Sequence, residues 1–247
     1  MLLAVALAGC GDTLSLDPVA KAADASAKQT SEHISVTMKM STAGQAITMT
    51  GDGDFRNNPN LGSFALSISG ARNVTMREVM KDTTVYMSSD LFGGQLPNGK
   101  IWLAMDIAKT TKAIGLDPSS LSSSQSPTQA LTTLRASGGQ VTQIGTERID
   151  GVETTHYSAI LDPKRLAKLN TALNKAYGAT AAYQPVSVWI DDQDLVRKMQ
   201  LAYSIVGGTA PTTSAEMTMT FSNYGEPVAV DVPPSSTVYD ITSLATP

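Results

Sequence analysis

The segment from Val141 to Pro163, VTQIGTERIDGVETTHYSAILDP, constrains the fold most because it contains two long alternating stretches joined by a tight turn. Even-numbered residues of its second arm share one face of an extended chain, and odd-numbered residues share the other. Asp150 and Gly151 tolerate the left-handed backbone angles of a two-residue hairpin turn. The segment therefore predicts a β-hairpin. Because it lies between a helical region and three further predicted strands, we interpret it as the spine of a large antiparallel sheet.

The same alternation predicts six strands before this hairpin and three after it, which makes about eleven strands in all. The first six are expected at about 33–41, 46–55, 63–70, 73–81, 83–89 and 100–104, and the last three at about 184–191, 194–206 and 213–224. Apolar residues such as Ile34, Val36 and Met38 alternate with polar ones. One apolar face and one solvent-exposed face are typical of antiparallel pairing. We therefore expect a single strongly curved antiparallel sheet, a half-barrel.

Four stretches have helical spacing and are expected to cover the concave face of that sheet, which makes the fold class α+β. They lie at 17–31, at 107–115, from Ser126 onwards, and at 162–178. In three of them a capping residue followed by proline marks the first turn. The Ser-rich stretch at 116–125 is either a mobile loop that gates a cavity or an inert connector.

Composition excludes several classes of function. The formal net charge is −4 and no block of Lys or Arg occurs, which removes the electrostatic footprint that nucleic-acid binding requires. The two histidines, His33 and His156, are far apart in sequence, which argues against a metal cluster or a histidine-based triad. The chain also lacks the nucleophile elbow and the glycine-rich phosphate loops. We therefore expect no enzyme activity, no catalytic residues, no metal and no cofactor.

Three aspartates close together, Asp191, Asp192 and Asp194, suggest either a calcium loop or a hairpin turn. The run lacks the later glycine and the distal glutamate of an EF-hand loop. We interpret it as the turn between two of the last strands.

The single cysteine, Cys10, directly follows Leu7-Ala8-Gly9, and this apolar run looks like a bacterial lipobox. In such a signal peptide, residues 1–9 are removed and the thiol carries a diacylglycerol. Acyl chains such as palmitate then anchor residues 10–16 as a lipidated tether. No Lys or Arg precedes the short apolar run, which suggests that the true start codon lies upstream. The alternative is a buried free cysteine near a ragged terminus.

Methionine is frequent on the predicted apolar face, whereas the chain contains only four phenylalanines. Flexible thioether side chains can reshape around an irregular apolar guest, or they can fill an ordinary core. Both interpretations stay open from the residues alone. The methionines with the apolar parity of their strands are Met38, Met40, Met49, Met87, Met217 and Met219.

Several longer stretches are similar to one known family. They are the lipobox at Leu7 to Cys10, LPNGKIW at 96–102, IDGVETTHY at 149–157, VWID at 188–191 and FSNYGEPV at 221–228. Together they resemble the actinobacterial LppX/LprG lipoprotein family, whose fold is similar to the LolA/LolB half-barrels. The resemblance spans nearly the entire mature chain. It implies a non-catalytic carrier that shields the acyl chains of lipids or glycolipids in an apolar cavity.

These observations lead to one hypothesis and one alternative. The hypothesis is a single lipid-binding domain at 17–247, anchored through Cys10 to the outer face of the cytoplasmic membrane, on the periplasmic side. We expect a monomer that carries or presents acylated lipids or glycolipids across the cell envelope, with a membrane transporter as a further partner. The alternative is an envelope sensor or scaffold, an interaction module whose sheet encloses only its own core.

The predicted cavity wall consists of strand residues with apolar parity and of leucines on the third and fourth helices. No charged clamp is needed there, since burial of an acyl chain contributes roughly 0.8 kcal/mol per methylene. A polar head group would rest at the cavity mouth. The strand members are Val36, Met38, Met40, Met49, Phe64, Leu66, Ile68, Val85, Met87, Val188, Ile190, Leu201, Tyr203, Met217, Met219 and Phe221, and the helix members are Leu131, Leu134, Leu166, Leu169 and Leu173.

Overall fold

The structure, a computed structural model, describes residues 13–14, 17–57, 59–70, 72–92, 94–113, 139–161, 174, 178–207 and 211–242. Within these residues fourteen strands form one open, curved sheet. It is accompanied by two α-helices, α1 (Asp17–Ala27) and α2 (Ile107–Ala113). The strands are β1 (Thr13–Leu14), β2 (Ser31–Thr42), β3 (Gln45–Asn57), β4 (Asn60–Ser69), β5 (Val74–Lys81), β6 (Thr84–Ser89), β7 (Trp102–Asp106), β8 (Gly139–Ile149), β9 (Val152–Leu161), β10 (Ala179–Tyr183), β11 (Val186–Asp191), β12 (Val196–Gly207), β13 (Thr213–Ser222) and β14 (Val238–Asp240).

Strands β2 to β7 form the predicted meander, in which each strand pairs antiparallel with the next. The pairing of β13 with β2 joins this meander to the later strands. Across the sheet the order is β1-β8-β9-β11-β12-β13-β2-β3-β4-β5-β6-β7-β14, and β10 lies off this path on β12. The meander and the dominance of antiparallel pairing are confirmed.

The β8–β9 hairpin forms as predicted, with Asp150 at φ 48° and Gly151 at φ 84° in its turn. Its place in the sheet differs from the prediction, because among the described strands the two-residue β1 alone lies outside β8. The hairpin is therefore near one edge and is not the spine. The middle of the sheet is the β13–β2 pair, which joins segments far apart in sequence. Local alternation does not specify which distant strands pair.

The described residues form fourteen strands and not the eleven predicted. The additional strands are β1, β10 and β14, which have two, five and three residues. Segments this short show little alternation that separates them from loops. The pairing of β14 with β7 is parallel, so the sheet is not wholly antiparallel as predicted. The C-terminal part of the chain, where no strand was predicted, thus contributes the edge strand β14.

Helices α1 and α2 lie close to the helices predicted at 17–31 and 107–115. Against four predicted helices, the described residues contain these two. The helix expected from Ser126 and the stretch at 116–125 lie outside the described residues, as does nearly all of the helix expected at 162–178. At the end of the latter, the Gly178 N–H donates to the Asn174 carbonyl at 2.8 Å, and Gly178 has a φ of 65°. Neither described helix is long and apolar enough to cross a membrane.

The core lies between α1 and one part of the apolar face of the sheet. Helix α1 covers the sheet as predicted, and it packs through a stripe of small residues in which Val19, Ala22 and Ala23 are at most 2% exposed. Ser26 on the same stripe accepts a hydrogen bond from the Val196 N–H at 3.0 Å. The sheet residues of this core are Ile34, Val141, Ala159, Val186, Val188, Ile190, Val196, Met199, Met219 and Phe221.

Candidate functional site

The apolar face of the sheet continues beyond the part that α1 covers. There, Leu201, Met217, Met38, Met49 and Ile68 are successive cross-strand neighbours on β12, β13, β2, β3 and β4. Directly opposite side chains have Cβ atoms about 4.5–5.5 Å apart, so the five form one continuous row. Each of them is half-buried. We call this row the methionine band, an apolar surface that the described helices do not seal.

Glycines let two aromatic rings lie flat on the apolar face beside the methionine band. A Cβ atom at Gly51 would lie 2.6 Å from the Phe64 ring, and one at Gly53 would lie 2.8 Å from it. A Cβ atom at Gly62 would lie 2.5 Å from the Phe55 ring. The two ring centroids are 6.1 Å apart. The alternating glycines of β3 therefore shape the floor of the site. The pattern of apolar residues alone does not indicate this role of the glycines.

The predicted wall residues fall into three groups. Four of them, Val188, Ile190, Met219 and Phe221, are at most 5% exposed in the core with α1, so packed protein already fills the space beside them. For all three groups, the role of the residues in ligand binding stays a prediction. Half-buried on the apolar face are Val36, Met38, Met40, Met49, Phe64, Leu66, Ile68, Met87, Leu201, Tyr203 and Met217, with Val85 buried on the same face. The wall residues outside the described part of the chain are Leu131, Leu134, Leu166, Leu169 and Leu173, and the predicted lipidation site, Cys10, lies outside it as well.

Register also places residues on this face that were not predicted. Met76 is directly opposite Leu66, and its parity within β5 was available from the sequence. Tyr183 is opposite Tyr203, with ring centroids 5.7 Å apart. Tyr183 belongs to β10. Because this strand was not predicted, Tyr183 was not among the predicted wall residues.

On the polar face, Ser35, His33 and Asp54 stand in the order of a Ser-His-Asp triad. His33 Nδ1 is 2.8 Å from Asp54 Oδ1, and Ser35 Oγ is 3.4 Å from His33 Nε2. This group was not predicted, because the pairing of β2 with β3 brings together residues that are distant in sequence. The backbone of β2 is paired on both sides, so β2 itself offers no free pair of N–H groups beside Ser35 to stabilise an oxyanion. Within β2 the group therefore lacks one part of a hydrolase site.

The second histidine, His156, belongs to a stack on the polar face. Its ring centroid is 4.2 Å from that of Trp189, with 11° between the planes. Lys198 Nζ lies 4.2 Å from the Trp189 ring centroid, and the indole N–H donates to a Glu147 carboxylate oxygen. Burial lowers the pKa of His156 below its ordinary value. The stack covers a tryptophan on an otherwise polar face.

The aspartate run forms the predicted turn between β11 and β12. Asp191 Oδ1 accepts hydrogen bonds from the N–H groups of Gln193 at 2.9 Å and Leu195 at 2.8 Å. Its other oxygen accepts a hydrogen bond from Arg197 Nε at 2.6 Å. Among the described residues, no group of three or more His, Cys, Asp or Glu side chains could hold a metal ion.

A buried carboxyl group lies at the end of the apolar face where β2 begins. Glu32 is 3% exposed, and its Oε2 has no hydrogen-bond partner among the described residues. Burial raises the pKa of the Glu32 carboxyl to about 7 from an ordinary value of 4.5. Its titratable neighbour is Tyr224, whose hydroxyl donates to the Val196 carbonyl at 2.6 Å and whose pKa is raised by burial and by Glu32.

The Glu32→Gln variant is expected to be less sensitive to alkaline pH than the wild type. The folded state holds the Glu32 proton more tightly than the unfolded state, so this stabilisation is complete below about pH 4.5 and is lost as the pH rises to 7. The loss is on the order of 3 kcal/mol. Urea titrations at pH 4.5 and at pH 8 measure this loss. Between the two pH values, the free energy of unfolding of Glu32→Gln is expected to rise relative to that of the wild type. The exposed Glu216→Gln is the control, and parallel pH profiles for Glu32→Gln and the wild type would contradict the expectation.

Two sequence comparisons bear on this chain. Residues 15–230 match the family described as LppX_LprAFG lipoprotein. A protein of Streptomyces griseus, named an uncharacterized 31.2 kDa protein in the rplA-rplJ intergenic region, is 28% identical over 158 residues. The match covers 59% of this chain and 50% of that protein, so the chain spans about half the length of this curated relative.

A solved structure of a lipoprotein shares the fold of this chain. The crystal structure of the lipoprotein LppX of Mycobacterium tuberculosis has a TM-score of 0.53 and 20% sequence identity, over 87% of this chain and 97% of that chain. This likeness establishes a common fold. A LolA superfamily protein from Nitrosomonas europaea, NE2245, reaches a TM-score of 0.27 and 10% identity over 89% of this chain and 96% of its own, which supports no further conclusion.

Proposed function

The chain belongs to the LppX_LprAFG lipoprotein family, and from this membership we propose that it is a non-catalytic lipoprotein that binds acylated lipids or glycolipids and carries or presents them across the cell envelope. The observation that supports the proposal is the methionine band, which continues the apolar face beyond the packed core. A protein that used the sheet only to enclose its own core would be expected to bury these side chains fully.

The energetics favour an acyl chain as the occupant of this surface. Burial of a chain contributes roughly 0.8 kcal/mol per methylene, so a dozen methylenes offset the loss of freedom on binding. Methionine side chains adapt to a flexible guest at little strain because they have three rotatable bonds. Met38, Met49 and Met217 supply three such side chains in one row.

A sensor or scaffold with a filled core is the second candidate. The packing beneath α1 favours a filled core for the part of the sheet that α1 covers, since Val188 and Phe221 are at most 2% exposed. It gives no reason for the half-buried residues of the methionine band.

The proposal is tested by the lipids that the protein retains. The chain, expressed in its host with any upstream residues restored, is purified without added lipid and extracted with organic solvent. Mass spectrometry of the extract is expected to detect acylated lipids in about equimolar amount, the ratio expected for one binding site. Absence of any stoichiometric lipid from a folded protein would exclude the carrier function and leave the scaffold.

The anchor is a separate part of the proposal. Three residues lead from Cys10 to Thr13, which pairs with Thr142 of β8, so a lipidated Cys10 would hold the sheet within about 10 Å of the membrane. This placement, on the periplasmic side of the cytoplasmic membrane, suits a monomeric carrier that exchanges lipid with a membrane transporter. Wild type is expected to partition into detergent, and Cys10→Ala into the aqueous phase. Equal partitioning of the two would exclude lipidation at this residue.

A further inference from the structure

The apolar face of the meander contains two ionisable side chains among apolar ones. Along β2 to β7, register places Glu32 and Glu78 on this face. The basic residues of these strands, Lys39, Arg56, Arg77 and Lys81, have the opposite parity and lie on the polar face. These strands therefore present carboxyl groups but no cation on the surface proposed to contact lipid.

The two carboxyl groups differ in what can reach them. Glu32 is 3% exposed, so a ligand that lies on the apolar face does not reach its carboxyl group. Glu78 is only partly buried and lies directly between Phe64 on β4 and Met87 on β6. Glu78 is thus an accessible carboxyl group within an apolar wall.

The Glu78 carboxyl group is partly open to solvent and has no polar contact with the described part of the chain. No hydrogen bond or ion pair joins it to another described residue, and burial raises its pKa. A carboxyl group in apolar surroundings is costly unless it meets a hydrogen-bond donor. A bound ligand can supply that donor, and each such bond to a charged acceptor contributes more than a neutral one.

The geometry points to a polar recognition site at Glu78 that selects lipids with a hydroxyl donor near their acyl chains over lipids with an anionic phosphate there. This inference rests on the proposed lipid binding and specifies its ligand class. A hydroxyl donates to the Glu78 carboxyl, whereas a phosphate would place a second negative charge beside it on strands that offer no cation. Neutral acylated polyols, including acylated sugars and diacylglycerols, have the required donor.

The test uses two lipids with the same acyl chains. The full purified chain, stripped of lipid, is incubated with mixed micelles of dipalmitoylglycerol and dipalmitoyl phosphatidic acid in equal amounts. The protein is recovered and both lipids are quantified by mass spectrometry. We expect roughly a tenfold preference of the wild type for dipalmitoylglycerol, as one charge-assisted hydrogen bond implies.

Two substitutions assign that preference to Glu78. Glu78→Gln keeps the shape and removes the charge, and Glu78→Met introduces the residue type found beside it. Both are expected to retain lipid uptake and to lose the preference, with Glu78→Met the decisive variant if Glu78→Gln does not fold. The control Glu216→Gln removes an exposed carboxyl group from the polar face and is expected to keep the wild-type ratio.

The outcomes separate this inference from the carrier function. Equal uptake of both lipids by the wild type, or an unchanged preference in the folded Glu78 variants, overturns the role of Glu78 and leaves lipid binding intact. Uptake of neither lipid by the folded wild type overturns the lipid-binding proposal itself, and the Glu78 site with it.

Discussion

Replacing Asp191 by alanine is expected to lower the free energy of unfolding by about 3–5 kcal/mol and the melting temperature by on the order of 10 °C. The Asp191 side chain is 1% exposed, and the Arg197 side chain that pairs with it is 17% exposed. Alanine would leave the Arg197 guanidinium without its counter-ion. It would also leave the N–H groups of Gln193 and Leu195 without the acceptor that closes the β11–β12 turn.

The neighbouring aspartate provides a matched control. Asp192 is exposed in the same turn, so Asp192→Ala is expected to change stability by no more than about 0.5 kcal/mol. Thermal and urea unfolding followed by circular dichroism measure both variants. Equal effects of the two substitutions would mean that the buried pair does not stabilise the turn.

Replacing Ile68 by tryptophan is expected to reduce lipid uptake about tenfold or more while the protein stays folded. Ile68 ends the methionine band opposite Met49 and is half-buried. In an open site the indole occupies volume that the acyl chain would fill, and displacement of two methylenes at roughly 0.8 kcal/mol each accounts for the loss. In a filled core the same ring would overpack the wall and destabilise the fold by about 1–3 kcal/mol.

The adjacent position separates these effects from the general effect of a tryptophan. Ser67 is exposed on the polar face of the same strand, so Ser67→Trp adds the same ring outside the site. Uptake of dipalmitoylglycerol, measured by mass spectrometry alongside circular dichroism, is expected to be normal for Ser67→Trp. The lipid would have to lie elsewhere if the Ile68→Trp protein folds and takes up lipid normally. The same conclusion would follow if the substitution prevents folding.

Local elements of this fold could be predicted because their causes are local. The Asp150-Gly151 turn needs left-handed backbone angles, and its two residues adopt them. Helical spacing predicted a helix at 17–31 that covers the sheet, and α1 does so with Val19 and Ala23 buried. Parity also placed the methionine band on one face, since side chains alternate along a strand whatever its partners.

The site was less predictable because burial depends on what covers each strand. Val188 and Leu201 have the same apolar parity, yet α1 buries the first in the core and leaves the second half-buried. Glu78 shows the same limit in another form. Glu78 has the parity of Met76 and Met80 in β5, but a glutamate is expected to face solvent, and the register with Phe64 and Met87 reveals its apolar surroundings.

The sequence by itself determined the elements: the hairpin, the meander, the α1 stripe, the apolar parity and the motifs that resemble a lipoprotein family. These follow from backbone angles, side-chain alternation and short-range chemistry, which each segment contains on its own. Only the tertiary structure decided that β13 pairs with β2, that the hairpin lies near an edge and that β14 joins β7 in parallel. The reason is physical: strand edges offer the same backbone donors and acceptors to many partners, so the choice among them depends on how the whole chain packs.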